Sequence, residues 1–127
     1  MKISRYMKCL TLIGVIGLPM TPLTFGQDDA AERGERKFDH SCTPCHGAGI
    51  GDDGHAMLPG TEALWIKYQG AIPALLEERT DLTAEIIRVY LRNGSWSMPP
   101  FRPTEITDDD IEDIAAYLAK SSAAADR

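Results

Sequence analysis

The segment Cys42-Thr43-Pro44-Cys45-His46 decides how the rest of this sequence is read. Two thiols separated by two residues, with a histidine directly after the second, form the C-x-x-C-H pattern of covalent haem attachment. The spacing follows from the chemistry. Each thiol adds to one vinyl group of the porphyrin, and two intervening residues let both sulfurs reach adjacent vinyls from one turn of chain. His46 then falls beneath the ring, where its imidazole can bind iron. Chance would produce the pattern in fewer than about one chain in a thousand of this length. Other uses of the same residues fit worse. A thioredoxin-like redox pair needs a strand–helix setting. A zinc site could recruit His40 or His55, but there is no second Cys-x-x-Cys or His-x3-His pair. A Cys42–Cys45 disulfide would close too small a loop to gain much.

Upstream of the motif, Asp28 to Cys42 reads as a helix, with acids early and bases later as the helix dipole favours. Gly34 and Phe38 are four apart and share a face. Glycine is costly inside a helix unless another backbone must come close. Downstream, residues 43–60 carry Gly47, Gly49, Gly51, Gly54 and Gly60 with Pro44 and Pro59, and read as loop. Thr61 caps a short helix through Tyr68, and Ala74 to Arg79 can form a turn or two. Thr83 is a good N-cap for a helix with Ile86, Ile87, Tyr90 and Leu91 as its apolar stripe, ended by Gly94. Ser95 to Ile106 is a second loop, stiffened by Pro99, Pro100 and Pro103. Thr107 followed by Asp108, Asp109 and Asp110 starts a last helix, with Ile111, Ile114, Ala115 and Leu118 on one face and Tyr117 beside them. No stretch alternates with period two over a strand's length. The expectation is one all-α domain of four to five helices around a covalently bound haem. Two loops this long in so small a domain usually surround something.

Iron held by one imidazole needs a sixth ligand, or it keeps that position open for chemistry. The candidates are Met57, Met98, His40 and His55. Met98 is the best placed, in a loop after a helix and far enough along the chain to approach the face opposite His46. Pro99 and Pro100 fix the backbone just beyond it, so its sulfur can be held with little loss of entropy. His40 and His55 lie near the motif in sequence and read as surface residues, and Met57 as an apolar loop contact. A neutral thioether favours reduced iron, so His46/Met98 ligation raises the potential relative to two histidines. A filled coordination sphere also disfavours oxygen or peroxide chemistry. The second nitrogen of His46 is expected to donate to a carbonyl in the Leu58–Pro59 turn. Trp96 and Tyr68 are read as packing against the porphyrin, with a hydrogen bond to a propionate as the alternative.

The 127 residues suit one small domain behind a different first segment. Lys2, Arg5 and Lys8 precede the apolar run Leu10 to Leu18, and no acid appears before Asp28. This reads as a secretory signal peptide, residues 1–26, cleaved between Gly26 and Gln27. A membrane anchor needs roughly 20 apolar residues, and Pro19 and Pro22 interrupt this run. Cys9 leaves with the leader. That segment carries three of the 13 basic residues and none of the 19 acidic ones, so residues 27–127 have a formal charge of −9. Such a surface is poor for nucleic acid, which is bound by neutralising phosphates with Lys and Arg.

With these residues placed, residues 30–120 resemble a class I cytochrome c domain, whose terminal-helix contact would put Gly34 and Phe38 across Ile114 and Tyr117. Three stretches are similar to the cytochrome subunits of p-cresol methylhydroxylase and eugenol hydroxylase-type flavocytochromes. They are Leu58-Pro59-Gly60-Thr61-Glu62-Ala63-Leu64, Arg79-Thr80-Asp81-Leu82-Thr83, and Ser97 through Thr107 with its Met98-Pro99-Pro100-Phe101-Arg102-Pro103 core. The stretch from Gly49 to Met57 departs from that pattern. In those flavocytochromes a vanillyl-alcohol oxidase-like flavin subunit oxidises a para-alkylphenol and the cytochrome takes its electrons singly. The resemblance therefore implies one haem c held by Cys42 and Cys45, with His46 and Met98 as axial ligands. It also implies a FAD-bearing periplasmic dehydrogenase as partner and a downstream electron acceptor, the chain itself being no enzyme. The alternatives are a free periplasmic carrier to a terminal oxidase and, further off, a haem enzyme or gas sensor with a displaceable Met98.

Overall fold

The computed structural model describes residues 25–52 and 54–127. The expected signal peptide lies outside this range except for its last two residues, and Cys9 lies outside it too. Five α-helices follow in chain order: α1 Phe25–Ser41, α2 Thr43–His46, α3 Pro59–Tyr68, α4 Ala84–Asn93 and α5 Asp108–Ala125, with a 3-10 turn at Leu76–Glu78 before α4. No strand occurs among the described residues. The architecture is the small all-α one that the patterning predicts.

The two terminal helices cross, and Gly34 is where they touch. A β-carbon built there would stand 1.9 Å from the carbonyl oxygen of Asp113 and 2.9 Å from the backbone nitrogen of Ile114. Only the missing side chain allows that approach. One turn later Phe38 is buried with its ring centroid 5.4 Å from that of Tyr117. Directly before Gly34, the Arg33 guanidinium donates to both carboxylate oxygens of Asp113, each at 2.7 Å. Phe38 joins Ala84, Leu91, Ile106, Ile111, Ile114 and Leu118 in one buried cluster that seals α1, α4 and α5 together.

Local chemistry sets the ends of the later helices. The Thr107 hydroxyl accepts from the Asp110 N–H at 3.1 Å while the Asp110 carboxylate accepts from the Thr107 N–H at 2.8 Å, a complete capping box. Thr83 caps α4 by accepting from Ile86, and Gly94 closes it at φ 69°. α5 runs on to Ala125, because nothing from Ala119 to Ala125 breaks a helix.

Three boundaries differ from the expected ones. The Cys42–His46 stretch is not loop: Thr43–His46 is a helical turn with Pro44 in its first positions, where a missing N–H costs nothing. For the same reason α3 starts at Pro59, with Leu58 as its N-cap. Thr61 is therefore no cap. It is buried, and its hydroxyl donates to the Gly47 carbonyl at 3.0 Å, tying α3 to the end of the motif. α1 is also longer than expected, beginning at Phe25.

Candidate haem site

The motif grows directly out of α1. The Cys42 N–H donates to Phe38 O at 2.7 Å, so the chain enters the motif still in helical register. The N–H groups of Cys45 and His46 both donate to Cys42 O, at 3.0 and 2.8 Å. One turn of helix therefore puts Cys42, Cys45 and His46 at positions i, i+3 and i+4, on one face. Cys42 is half-buried against the core cluster and Cys45 is exposed, and the two are not bonded to each other. Burial, with Cys45 nearby, pushes the Cys42 thiol up to about 11.

His46 is seated on a glycine. A β-carbon at Gly60 would lie 2.7 Å from Cε1 and 2.9 Å from Nδ1 of the imidazole. That close seat encloses Nδ1, which is buried and has no hydrogen-bond partner among the described residues. The expected bond to the Leu58–Pro59 turn is not made. As N-cap, Leu58 spends its carbonyl on the Glu62 N–H at 2.8 Å, the first bond of α3. Burying such a nitrogen unpartnered costs on the order of 1–3 kcal/mol. Burial also lowers the imidazole pKa, so the ring is neutral at neutral pH and keeps a lone pair for a metal. With Nδ1 enclosed, Nε2 is the nitrogen that an iron can reach.

Met98 closes a four-residue turn. Ser95 N–H donates to Met98 O at 3.0 Å and Met98 N–H returns to Ser95 O at 2.9 Å. The turn needs Gly94, where a β-carbon would stand 2.7 Å from Met98 O. It also puts Trp96 at φ 55°, a costly place for a bulky residue, with the indole fully exposed. Beyond the two prolines, the Phe101 N–H donates to Leu91 O at 2.6 Å. The Arg92 guanidinium then donates to Phe101 O at 3.2 Å, Ile106 O at 2.9 Å and Asp108 at 2.7 Å, stapling the loop to α4 and α5. Met98 packs on the same core cluster that Cys42 touches.

The rival ligands are placed differently. His40 is exposed on α1, and His55 is exposed beside Glu62 at 3.0 Å. Met57 is half-buried but is not among the residues packed on the core cluster. Among the described residues no group of three or more His, Cys, Asp or Glu could hold a metal ion. Two site features lay beyond the sequence reading. One is Gly60 as the seat of His46, for which the Pro59-Gly60 pair was the available signal. The other is Arg79, a buried cation that no local pattern announces.

Residues 29–118 match the family described as cytochrome C oxidase, cbb3-type, subunit III. The chain belongs to this cytochrome c family. A curated relative, cytochrome c6 of Cyanidioschyzon merolae (strain NIES-3377 / 10D), is 32% identical over 85 residues, 67% of this chain and 68% of that protein. No solved structure matches the cytochrome. Its helices are those of a small cytochrome c fold, its family implies haem c, and its work is electron transfer. The residues fit that group on their own chemistry: two unbonded thiols and a neutral imidazole on one helical face, with a thioether held in a stiff turn on the same core. Among the described residues no helix is long and apolar enough to cross a membrane.

Proposed function

We propose that this cytochrome works in the periplasm, taking electrons singly from a FAD-bearing dehydrogenase of para-alkylphenols and passing them to a downstream acceptor. The observation that carries the electron-transfer part is the Cys42–His46 turn, which sets two thiols and a neutral imidazole on one face. In this reading Cys42 and Cys45 would hold one haem c covalently, and His46 Nε2 and Met98 Sδ would bind its iron. Haem c supplies a one-electron iron couple. The protein keeps His46 neutral and oriented on Gly60, and keeps Met98 in place through the Gly94 turn and the Arg92 staple.

The flavin partner is supported by the three stretches that resemble flavocytochrome subunits. They coincide with parts that shape the site: the start of α3 on His46, the lead into α4, and the Met98 loop. Export by residues 1–26 would leave a charge of −9 on the remainder. Many of its cations are already held by its own carboxylates: Arg33, Lys37, Arg79, Arg88, Arg92, Arg102 and Lys120. The outward field is therefore acidic and would steer a basic partner. A second reading, a free carrier to a terminal oxidase, is favoured by the family match, whose description is of an oxidase subunit.

Salt separates the two readings. A stable subunit interface rests on a buried apolar core that salt affects little, whereas a steered carrier loses association rate as screening shortens its field. The cytochrome is expected to co-purify with a larger flavoprotein at moderate salt, and an anaerobic para-alkylphenol should reduce its haem with no added mediator. A cytochrome that runs alone, and that no flavoprotein reduces, would transfer the case to the free carrier.

A further inference from the structure

Four consecutive apolar residues, Ala63-Leu64-Trp65-Ile66, lie in the middle of α3. At about 100° per residue such a run points apolar groups to every side of the helix, and a helix that is apolar all round belongs where it is covered all round. Among the described residues α3 is covered on one side. Gly60 meets His46, Thr61 bonds Gly47, Tyr68 faces Arg79, and the helix packs chiefly on α2. Leu64, on that side, is half-buried, whereas Ala63, Trp65 and Ile66 are exposed. Ile66 is two residues from both Leu64 and Tyr68, so it stands about 160° round the helix from each. A group held against the Cys42–His46 face cannot cover it.

The loop before α3 adds to this outer side. It is closed by the Gly51 N–H on His55 O and the Gly54 N–H on Gly51 O, each at 2.9 Å. His55 then fastens the loop to Glu62 at 3.0 Å. Glu62 is one turn before Ile66 and shares its side of the helix. The loop's Ile50 is 73% exposed and Ile66 is 58% exposed, and the same loop carries the exposed Asp52. Runs of exposed apolar residues are faults in a sequence unless they are used.

We infer that the outer side of α3, with the Ile50 loop, is the surface on which the flavin dehydrogenase docks, and that the dehydrogenase meets it with an apolar patch rimmed by Lys and Arg. The inference rests on the partner reading above. Charge selects this occupant. Residues 27–127 carry −9, and Asp52 and Glu62 accompany the apolar groups, so a second copy would set acid against acid. A basic rim is instead drawn in, and an apolar centre holds the complex when salt screens that attraction. The place also suits electron transfer. With Gly60 on His46 and Ile66 on the far side, a docked partner comes within about one helix diameter, roughly 10–12 Å, of the expected iron ligand. The stretch from Gly49 to Met57 departs from the flavocytochrome pattern, so this loop is the part that fits the chain to its own partner.

The test uses the full haem-loaded chain and the flavoprotein that co-purifies with it, reduced anaerobically by a para-alkylphenol. The Ile50→Gln, Ile66→Gln double variant removes two exposed side chains, so its fold is not at stake. Its haem spectrum, potential and rate of reduction by ascorbate should equal those of the wild type. Its dissociation constant for the flavoprotein should rise at least about tenfold, and its reduction at limiting flavoprotein should slow in step. Ala119→Glu, at an exposed position on α5, should bind and be reduced like the wild type. A double variant that also binds and is reduced like the wild type overturns the docking surface alone. So does one that ascorbate reduces just as slowly, because the change then lies at the haem. A wild-type cytochrome that sediments as a dimer, with a monomeric double variant, would give the face to a second copy instead. A wild type that no flavoprotein binds or reduces defeats the partner reading, and this inference with it.

Discussion

Gly34→Ala is expected to destabilise the protein by about 3 kcal/mol or more, at or beyond the top of the usual overpacking range. The added methyl carbon would sit 1.9 Å from Asp113 O and 2.4 Å from Asp113 C, and both are backbone atoms. No rotamer change relieves that contact, so α1 and α5 must separate. Separation opens the Phe38–Tyr117 contact and pulls Arg33 from Asp113. Helix propensity alone would favour alanine over glycine by about 1 kcal/mol, so the sign of the change is itself informative. Denaturant unfolding should show a lower midpoint with an unchanged slope. A shift within about 0.5 kcal/mol, as at an ordinary surface position, would mean that the helices do not cross at Gly34.

Met98→Ala should change the haem more than the fold. The turn that holds Met98 is built by the Ser95–Met98 backbone pair, by Gly94 and by the Arg92 staple, none of which uses the thioether. Loss of the side chain should abolish the weak red charge-transfer band of sulfur-bound ferric haem and admit cyanide or carbon monoxide quickly. The potential should fall by on the order of 0.2 V, a fraction of the roughly 0.8 V over which axial ligands act. Met57→Ala should leave all three properties near those of the wild type. If Met57→Ala produces these changes and Met98→Ala does not, the ligand assignment is wrong.

Capping chemistry made α4 and α5 legible in advance, because Thr83 and Thr107 act on N–H groups within three residues of themselves. The α1–α5 crossing was legible in part: a glycine inside a helix asks for a close backbone, and the resemblance to class I cytochrome c implied that the last helix supplies it. The glycine-rich stretch after Cys42 hid more. Its density of turn residues outweighed the fact that Pro44 and Pro59 are good first-turn residues, so the Thr43–His46 turn and the first two residues of α3 were read as loop. The partner expected for His46 Nδ1 in the Leu58–Pro59 turn was misread, because that turn is the start of α3 and the Leu58 carbonyl accepts from the Glu62 N–H. Arg79 was silent for a different reason. Its burial is set by Tyr68 and the face of α4, which meet it only in three dimensions. The strained Trp96 was equally hidden, since its φ follows from the Ser95–Met98 closure and not from its own preference.

The central claim is that Cys42 and Cys45 bind haem covalently, with His46 on the iron. Its most direct test is the intact mass of the protein exported from a host with haem-attachment machinery, taken before and after acid–acetone extraction. The account predicts the mass of the polypeptide plus one haem, unchanged by extraction, with the colour remaining in the protein and lost in a Cys42→Ser, Cys45→Ser double variant. A mass equal to the bare polypeptide, or haem that passes into the acetone, would contradict it.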